Sequence, residues 1–251
     1  MLENCSMKLK WLRKKIYYEI IEKPLSKNAN IVRAVSLPEM INLKKVYSNV
    51  VLIPNGHQTI EFVQKNWNDK PWKFVFLGRL HFKKGVVPLI RAWKKSTLNN
   101  NHEYELIIAG PDDGELKKVL DEIYDGKTKN ITYVGQLYDR EKAELLKNSH
   151  FFILPSFSEG FPTTIIEAIQ YGNIAVISEG CNFPEAIENK IVFEVESNET
   201  NIQNVLERII KISTEELEKK SIKAYEFISK NYSLEKIAEK QYSLYKNLLD
   251  L

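Results

Sequence analysis

Short apolar runs, too short for helices, alternate along this chain with turn residues and stretches of helical period. The runs are Phe74-Val75-Phe76-Leu77-Gly78, Tyr104-Glu105-Leu106-Ile107-Ile108-Ala109-Gly110, Ile131-Thr132-Tyr133-Val134, Phe151-Phe152-Ile153-Leu154 and Ile174-Ala175-Val176-Ile177. Between them Val86, Leu89, Ile90 and Trp93 share one helix face, and Leu116, Val119, Leu120 and Ile123 share another. Further helices are expected around Leu145-Leu146 and over about 164–171. Strands apolar on both faces, alternating with helices, read as a parallel sheet covered on both sides. The expected fold class is therefore α/β, a doubly wound, Rossmann-like parallel sheet over roughly residues 55–212.

Composition narrows the class. Of 251 residues, 43% are hydrophobic and 27% charged, which suits a globular chain and not a disordered one. No apolar run nears the ~18 residues that argue for a membrane-spanning helix. The start lacks the basic-then-apolar pattern of a secretory signal. Two cysteines, Cys5 and Cys181, make no disulfide framework, so a reduced, cytoplasmic setting is expected. A net charge of +3 gives no reason to expect nucleic acid as a partner.

The flanks differ from the centre. Residues 1–30 are basic and aromatic and read as helical, and 31–35 read as a single strand. One strand with two helices cannot bury its own faces, so this segment reads as the end of a domain. Residues 8–18 interleave basic side chains with Trp11, Ile16 and Tyr17, which fits either a membrane-surface helix or a helix packed on that domain. Ile202, Val205, Leu206, Ile209 and Ile210 mark another helix, and 233–248 a terminal one.

Ligands of open α/β sheets bind beyond the carboxyl ends of the strands. The first such loop, Gly78-Arg79-Leu80-His81-Phe82-Lys83-Lys84-Gly85, puts an arginine and two lysines before a helix-opening glycine. Arg79 and Lys84 suit a diphosphate clamp, and equally a solvated basic loop. The loop Pro155-Ser156-Phe157-Ser158-Glu159-Gly160-Phe161-Pro162-Thr163-Thr164 leads into a helix carrying Glu167. Its free N–H groups over 161–164 would form an anion site, with Glu159 and Glu167 as acceptors for sugar hydroxyls. Thr164-x-x-Glu167 is also a capping box. In Gly110-Pro111-Asp112-Asp113-Gly114, either Asp112 or Asp113 is expected to cap the following helix. His150 reads as a packed residue, and His81 as solvated or near a phosphate. The four histidines show no metal-site spacing. Dinucleotide, P-loop and nucleophile-elbow motifs are missing, which disfavours oxidoreductases, P-loop kinases and α/β-hydrolases.

These loops, in this order, resemble the donor-binding half of a GT-B glycosyltransferase, and most closely the retaining glycosyltransferase family 4. The matching stretches are Gly78-Arg79 with Lys84-Gly85, Ala109-Gly110-Pro111, Val134-Gly135, Ser156-Phe157-Ser158-Glu159-Gly160-Phe161-Pro162 with Glu167-Ala168, and Gly172-Asn173. Glu159 and Glu167 match the family's E-x7-E pair. The resemblance implies transfer of a hexosyl-type unit from a nucleotide-diphosphate sugar to a saccharide or lipid-linked acceptor, with retention, in polysaccharide or glycoconjugate biosynthesis. It implies that Arg79 and Lys84 hold the diphosphate and stabilise it as leaving group, and that Glu159 faces the transferred sugar. Glu167 would bind the ribose, Gly160, Phe161, Pro162, Thr163 and Thr164 the sugar and distal phosphate, and Leu137 would border the base. No metal or cofactor is implied.

The resemblance divides the chain into a remnant of an N-terminal acceptor domain (1–53), a nucleotide-sugar-binding domain (54–232) and a C-terminal crossover helix (233–251). Ser36-x-x-Glu39 and Ile53-Pro54-Asn55-Gly56 match the interdomain end of the first half, whose acceptor-side glycine loop has no counterpart here. A donor-binding half without turnover of its own, which needs a partner chain or the missing N-terminal domain, is therefore the alternative expectation. Lipid-linked acceptors would bring peripheral contact with the inner face of the membrane.

Overall fold

A strand with apolar side chains on both faces needs cover from two layers, and the chain supplies it by alternation. The computed structural model describes residues 11–161 and 163–249. The opening stretch is helical, α1 (Trp11–Tyr17) passing through a π-helical segment, Tyr18–Glu22, into α2 (Lys23–Lys27). Lys8, Lys10 and Cys5 lie outside the described residues. β1 (Val32–Ala34), α3 (Leu37–Leu43) and β2 (Val50–Leu52) follow. Ser36 caps α3, and the Glu39 carboxylate accepts in turn from Val35 N.

Where the sequence suggested a single strand before residue 55, the structure pairs two. β1 and β2 run parallel, Val32 opposite Val50, over a small cluster of Ala34, Tyr47 and Val50. The second strand, inside the short apolar run Val50-Val51-Leu52-Ile53, is three residues long and only Val50 is buried. Leu12, Ile16, Ile20 and Leu25 of the opening helical stretch are exposed.

The main sheet is built from β3 (Trp72–Leu77), α4 (Val86–Lys95), β4 (Tyr104–Ala109), α5 (Leu116–Ile123), β5 (Ile131–Tyr133), α6 (Asp139–Lys147), β6 (Phe151–Leu154), α7 (Thr163–Gln170), β7 (Ile174–Ile177), α8 (Pro184–Glu188) and β8 (Phe193–Glu194). Its spatial order is β5-β4-β3-β6-β7-β8, and every pair is parallel. The doubly wound α/β architecture read from the alternation is therefore present. Phe74 and Phe151 face each other in register across β3 and β6, with rings stacked at 4.5 Å, and Trp93 packs edge-on to Phe74 at 5.3 Å. All three side chains are fully buried at the centre of the core.

α9 (Glu199–Ile209) packs on α4, and α10 (Thr214–Tyr232) on α7 and β7. The chain then returns. His57 N donates to Tyr232 O at 2.8 Å and Leu234 N to His57 O at 3.0 Å, joining the start of the main domain to its end. Ser233 caps α11 (Leu234–Leu248), which lies beside Leu52 and Ile53. Among the described residues no helix is long and apolar enough to cross a membrane.

Candidate active site at the sheet switch point

The strand order sets where a ligand can sit. From β3 the chain winds outward through β4 and β5, then jumps back to β6 on the other side of β3 and winds the opposite way. The loops leaving β3 and β6 therefore diverge at their carboxyl ends and leave a crevice between them.

Three loops are fastened together at that rim. The Lys83 carbonyl accepts from Phe157 N at 2.7 Å and Ser156 Oγ at 2.8 Å, tying the β3 loop to the β6 loop. The Ser156 carbonyl accepts from Ser178 Oγ at 2.5 Å, and Glu159 N donates to Gly180 O at 2.7 Å, tying in the β7 loop. Asn182 adds a side-chain donor to the Glu159 carbonyl. Gly85 is fixed twice over. Its φ of +71° suits glycine, and a Cβ there would run into the Pro155 carbonyl oxygen.

Within this frame Lys84 and Glu159 meet. The Lys84 ammonium donates to both carboxylate oxygens, at 2.6 and 2.7 Å, with side chains only 18% and 10% exposed. Arg79 does not join them. Its guanidinium donates at 2.6 Å to Asp113 in the β4 loop, with both side chains well exposed. Thus the two cations read as a pair are held by different acids. Gly160 is exposed with open space around its Cα, while Phe161 stacks on Tyr232 at 6.0 Å and meets Phe183 edge-on. Thr163 is exposed at the first position of α7, Thr164 follows it, and Pro162 lies outside the described residues. Leu137 is half-buried against the core.

The capping-box reading of Thr164 and Glu167 does not hold. α7 begins at Thr163, so Thr164 lies inside the helix and cannot be its N-cap. Glu167 instead forms an ion pair with Lys142 of α6, Oε1 lying 2.5 Å from Nζ. In the β4 loop the capping role falls to Asp112, which accepts from Gly114 N at 2.8 Å and Leu116 N at 3.1 Å. Those two N–H groups hold its carboxyl below the ordinary carboxylate range. His81 is half-buried, its Nδ1 accepting from Lys83 N and its ring 4.5 Å from Phe82. His150 is packed as expected, accepting from Lys73 N beside Trp67, and burial pushes its pKa down to about 4.

The sequence reading left out Ser178, Asn182 and Lys142. The first two lie in the loop after β7, which the rule of strand carboxyl ends would have included. Lys142 carried no signal, because a lysine among Asp139, Arg140, Glu141 and Glu144 looks like part of a solvated face. A separate cleft of ≈ 550 Å³ lies further along the rim between Phe157, Gly180 and Glu196. Burial pushes the Cys181 thiol up to about 12, so it is a packed residue, its Sγ donating to Leu154 O. Among the described residues no group of three or more His, Cys, Asp or Glu side chains is placed to hold a metal ion.

Solved structures of GT-B glycosyltransferases share this parallel-sheet α/β fold. Sucrose-phosphate synthase from Thermosynechococcus elongatus superposes with a TM-score of 0.77 at 20% identity, over 92% of this chain and 61% of that one. Anabaena HepE, solved in complex with UDP and glucose, gives 0.76 at 17% identity, over 92% and 66%. The family model for glycosyl transferases group 1 matches residues 57–230. The chain belongs to that family. It is 31% identical over 171 residues to an uncharacterized glycosyltransferase of Methanocaldococcus jannaschii, MJ1059, covering 66% of this chain and 40% of that protein. It is 32% identical over 152 residues to the N,N′-diacetylbacillosaminyl-diphospho-undecaprenol alpha-1,3-N-acetylgalactosaminyltransferase of Campylobacter jejuni, covering 59% and 37%. The chain thus spans about 40% of the length of these curated relatives.

Proposed function

We propose that this chain carries the donor site of a retaining, family 4 type glycosyltransferase. It takes a nucleotide-diphosphate sugar and passes a hexosyl-type unit to a saccharide or lipid-linked acceptor in polysaccharide or glycoconjugate biosynthesis. The observation that carries the reading is the Lys84–Glu159 contact, a cation from the β3 loop against an acid from the β6 loop in the crevice where the sheet reverses.

An ammonium has three N–H donors. Two face the Glu159 oxygens, and the third is left for a phosphate oxygen. Arg79 stands at the end of the same loop's strand and supplies a planar fork suited to the second phosphate. Negative charge grows on the departing diphosphate as the glycosidic bond breaks, so cations fixed there favour the transition state over the ground state. Glu159 faces the sugar, Glu167 takes a ribose hydroxyl, and the backbone of 160–164 meets the distal phosphate. Support for a nucleotide-sugar donor comes from HepE, whose solved complex holds UDP and glucose, and for a lipid-linked acceptor from the Campylobacter relative's diphospho-undecaprenol substrate name.

The second reading is a donor-binding half that needs a partner chain or an N-terminal acceptor domain for its acceptor. It is favoured by the two-stranded β1–β2 sheet, whose buried cluster of three residues offers little wall for an acceptor. Incubating the purified chain with UDP- and GDP-sugars and following nucleotide release and sugar products separates the two. Turnover that falls about 10²–10³-fold in Lys84→Ala supports the enzyme. Nucleotide binding without turnover supports the half-site, and no binding of any nucleotide contradicts both.

A further inference from the structure

Lys142 turns inward from a helix whose other charges read as a solvated face. It is in the first turn of α6, where the helix macrodipole favours acids and disfavours cations. It is also four residues from Leu146, which is fully buried, so the two share the inward face of the helix. Its Nζ lies 2.5 Å from Glu167 Oε1, with side chains 29% and 15% exposed. A solvated pair would not be drawn inward in this way.

Topology places that pair at the working rim. α6 leaves the carboxyl end of β5, and α7 leaves the carboxyl end of β6. Lys142 is the fourth residue of α6 and Glu167 the fifth of α7, so both lie within about a turn and a half of the edge of the sheet that bears Lys84 and Glu159. The far end of α6 is pinned. Its Leu146 carbonyl accepts from Lys65 Nζ at 2.8 Å and from Asn173 Nδ2 at 2.8 Å, just past the end of α7. Lys142 is thus carried on a helix held in fixed relation to the one bearing Glu167.

The pair offers adjacent complementary groups. Glu167 Oε1 lies against the ammonium as an ion pair, leaving Oε2 as an acceptor, while Lys142 keeps N–H donors for a ligand. A carboxylate oxygen beside an ammonium matches two neighbouring hydroxyls, one donating and one accepting. We propose that Lys142 is a positioning and specificity residue of the donor site, fixing the Glu167 carboxylate and donating to the ribose 2′-hydroxyl oxygen, so that the site selects ribonucleotides over 2′-deoxyribonucleotides. This rests on the donor-site reading above.

The test is calorimetric titration of the whole chain with UDP, GDP, dUDP and dGDP, on the wild type and on Lys142→Met, Lys142→Arg and Arg79→Ala. The wild type should prefer the ribonucleotide by about tenfold, the size expected for one charge-assisted hydrogen bond. Lys142→Met should lose that preference, weakening the ribonucleotide and leaving the deoxyribonucleotide nearly unchanged, and Lys142→Arg should restore it in part. A merely structural ion pair would weaken both nucleotides equally, and that result overturns the proposal. Should Lys142→Met not fold, Lys142→Gln carries the same test, because it stays polar, removes the ammonium and leaves Glu167 in place. The two readings fail differently. If no nucleotide binds the wild type, or Arg79→Ala binds as well as wild type, the donor-site reading falls and this inference with it. If Arg79→Ala weakens binding while Lys142→Met keeps the ribose preference, only this inference falls.

Discussion

Lys84 and Glu159, 75 residues apart in sequence, close into a two-pronged ion pair at 2.6 and 2.7 Å across the point where the sheet reverses its winding. Neither side chain is more than a fifth exposed, so each relies on the other for its charge to be tolerated there.

That dependence has a consequence for stability. Lys84→Met leaves the Glu159 carboxylate unpaired, and urea unfolding should show a loss of about 1–3 kcal/mol. Adding Glu159→Gln removes the stranded charge, and the double variant should recover most of the loss. Additive losses in the double-mutant cycle would show that the pair is not coupled.

The exposed pair should behave otherwise. Arg79 and Asp113 are 65% and 37% exposed, and solvent screens such contacts. Asp113→Asn should change unfolding stability by no more than about 0.5 kcal/mol. A larger change in the urea midpoint would mean that the β4 loop depends on this contact for its shape.

Gly85 joins the β3 loop to α4 while passing against Pro155 of the β6 loop. Gly85→Ala forces a side chain into left-handed backbone and against a carbonyl, which costs about 1–3 kcal/mol. Thermal unfolding should fall accordingly, and nucleotide affinity should fall with it because the two loops are pushed apart. Unchanged affinity in a destabilised variant would separate the loop junction from the site.

Lys65 gives a pH dependence with a definite sign. It is buried, donates to the Leu146 and Lys147 carbonyls at the end of α6, and burial pushes its pKa from 10.5 to about 7. Between those values the unfolded chain holds the proton and the folded chain has released it, so unfolding takes up a proton and raising the pH stabilises the fold. Wild-type stability relative to Lys65→Met should therefore climb from pH 7 toward pH 10. Parallel profiles for the two proteins would place the Lys65 pKa near its ordinary value.

The sequence carried five of the six strands of the main sheet as short apolar runs, most plainly Phe151–Leu154, where every residue is buried, and least so the edge strand β5, where Thr132 is exposed. It did not carry β8, two residues with one exposed, nor β2, nor the 19-residue α10, whose lysines and glutamates blur its apolar stripe. The loops bearing Arg79, Lys84 and Glu159 were legible from glycines, charges and helix starts. Their convergence was not, because β3 and β6 become neighbours only through the order of strands in space. The acid opposing Arg79 and the lysine opposing Glu167 were hidden for the same reason. Asp113 looked like a helix cap and Lys142 like a solvated charge until tertiary structure paired them.

The most direct measurement is a crystal structure of the chain soaked with UDP or GDP. The account predicts electron density for the pyrophosphate in the crevice between the β3 and β6 loops, within hydrogen-bonding distance of the Arg79 guanidinium and the Lys84 ammonium. The ribose should lie beside Glu167. A nucleotide bound instead in the cleft by Glu196, or anywhere that leaves Lys84 and Glu159 untouched, would contradict it.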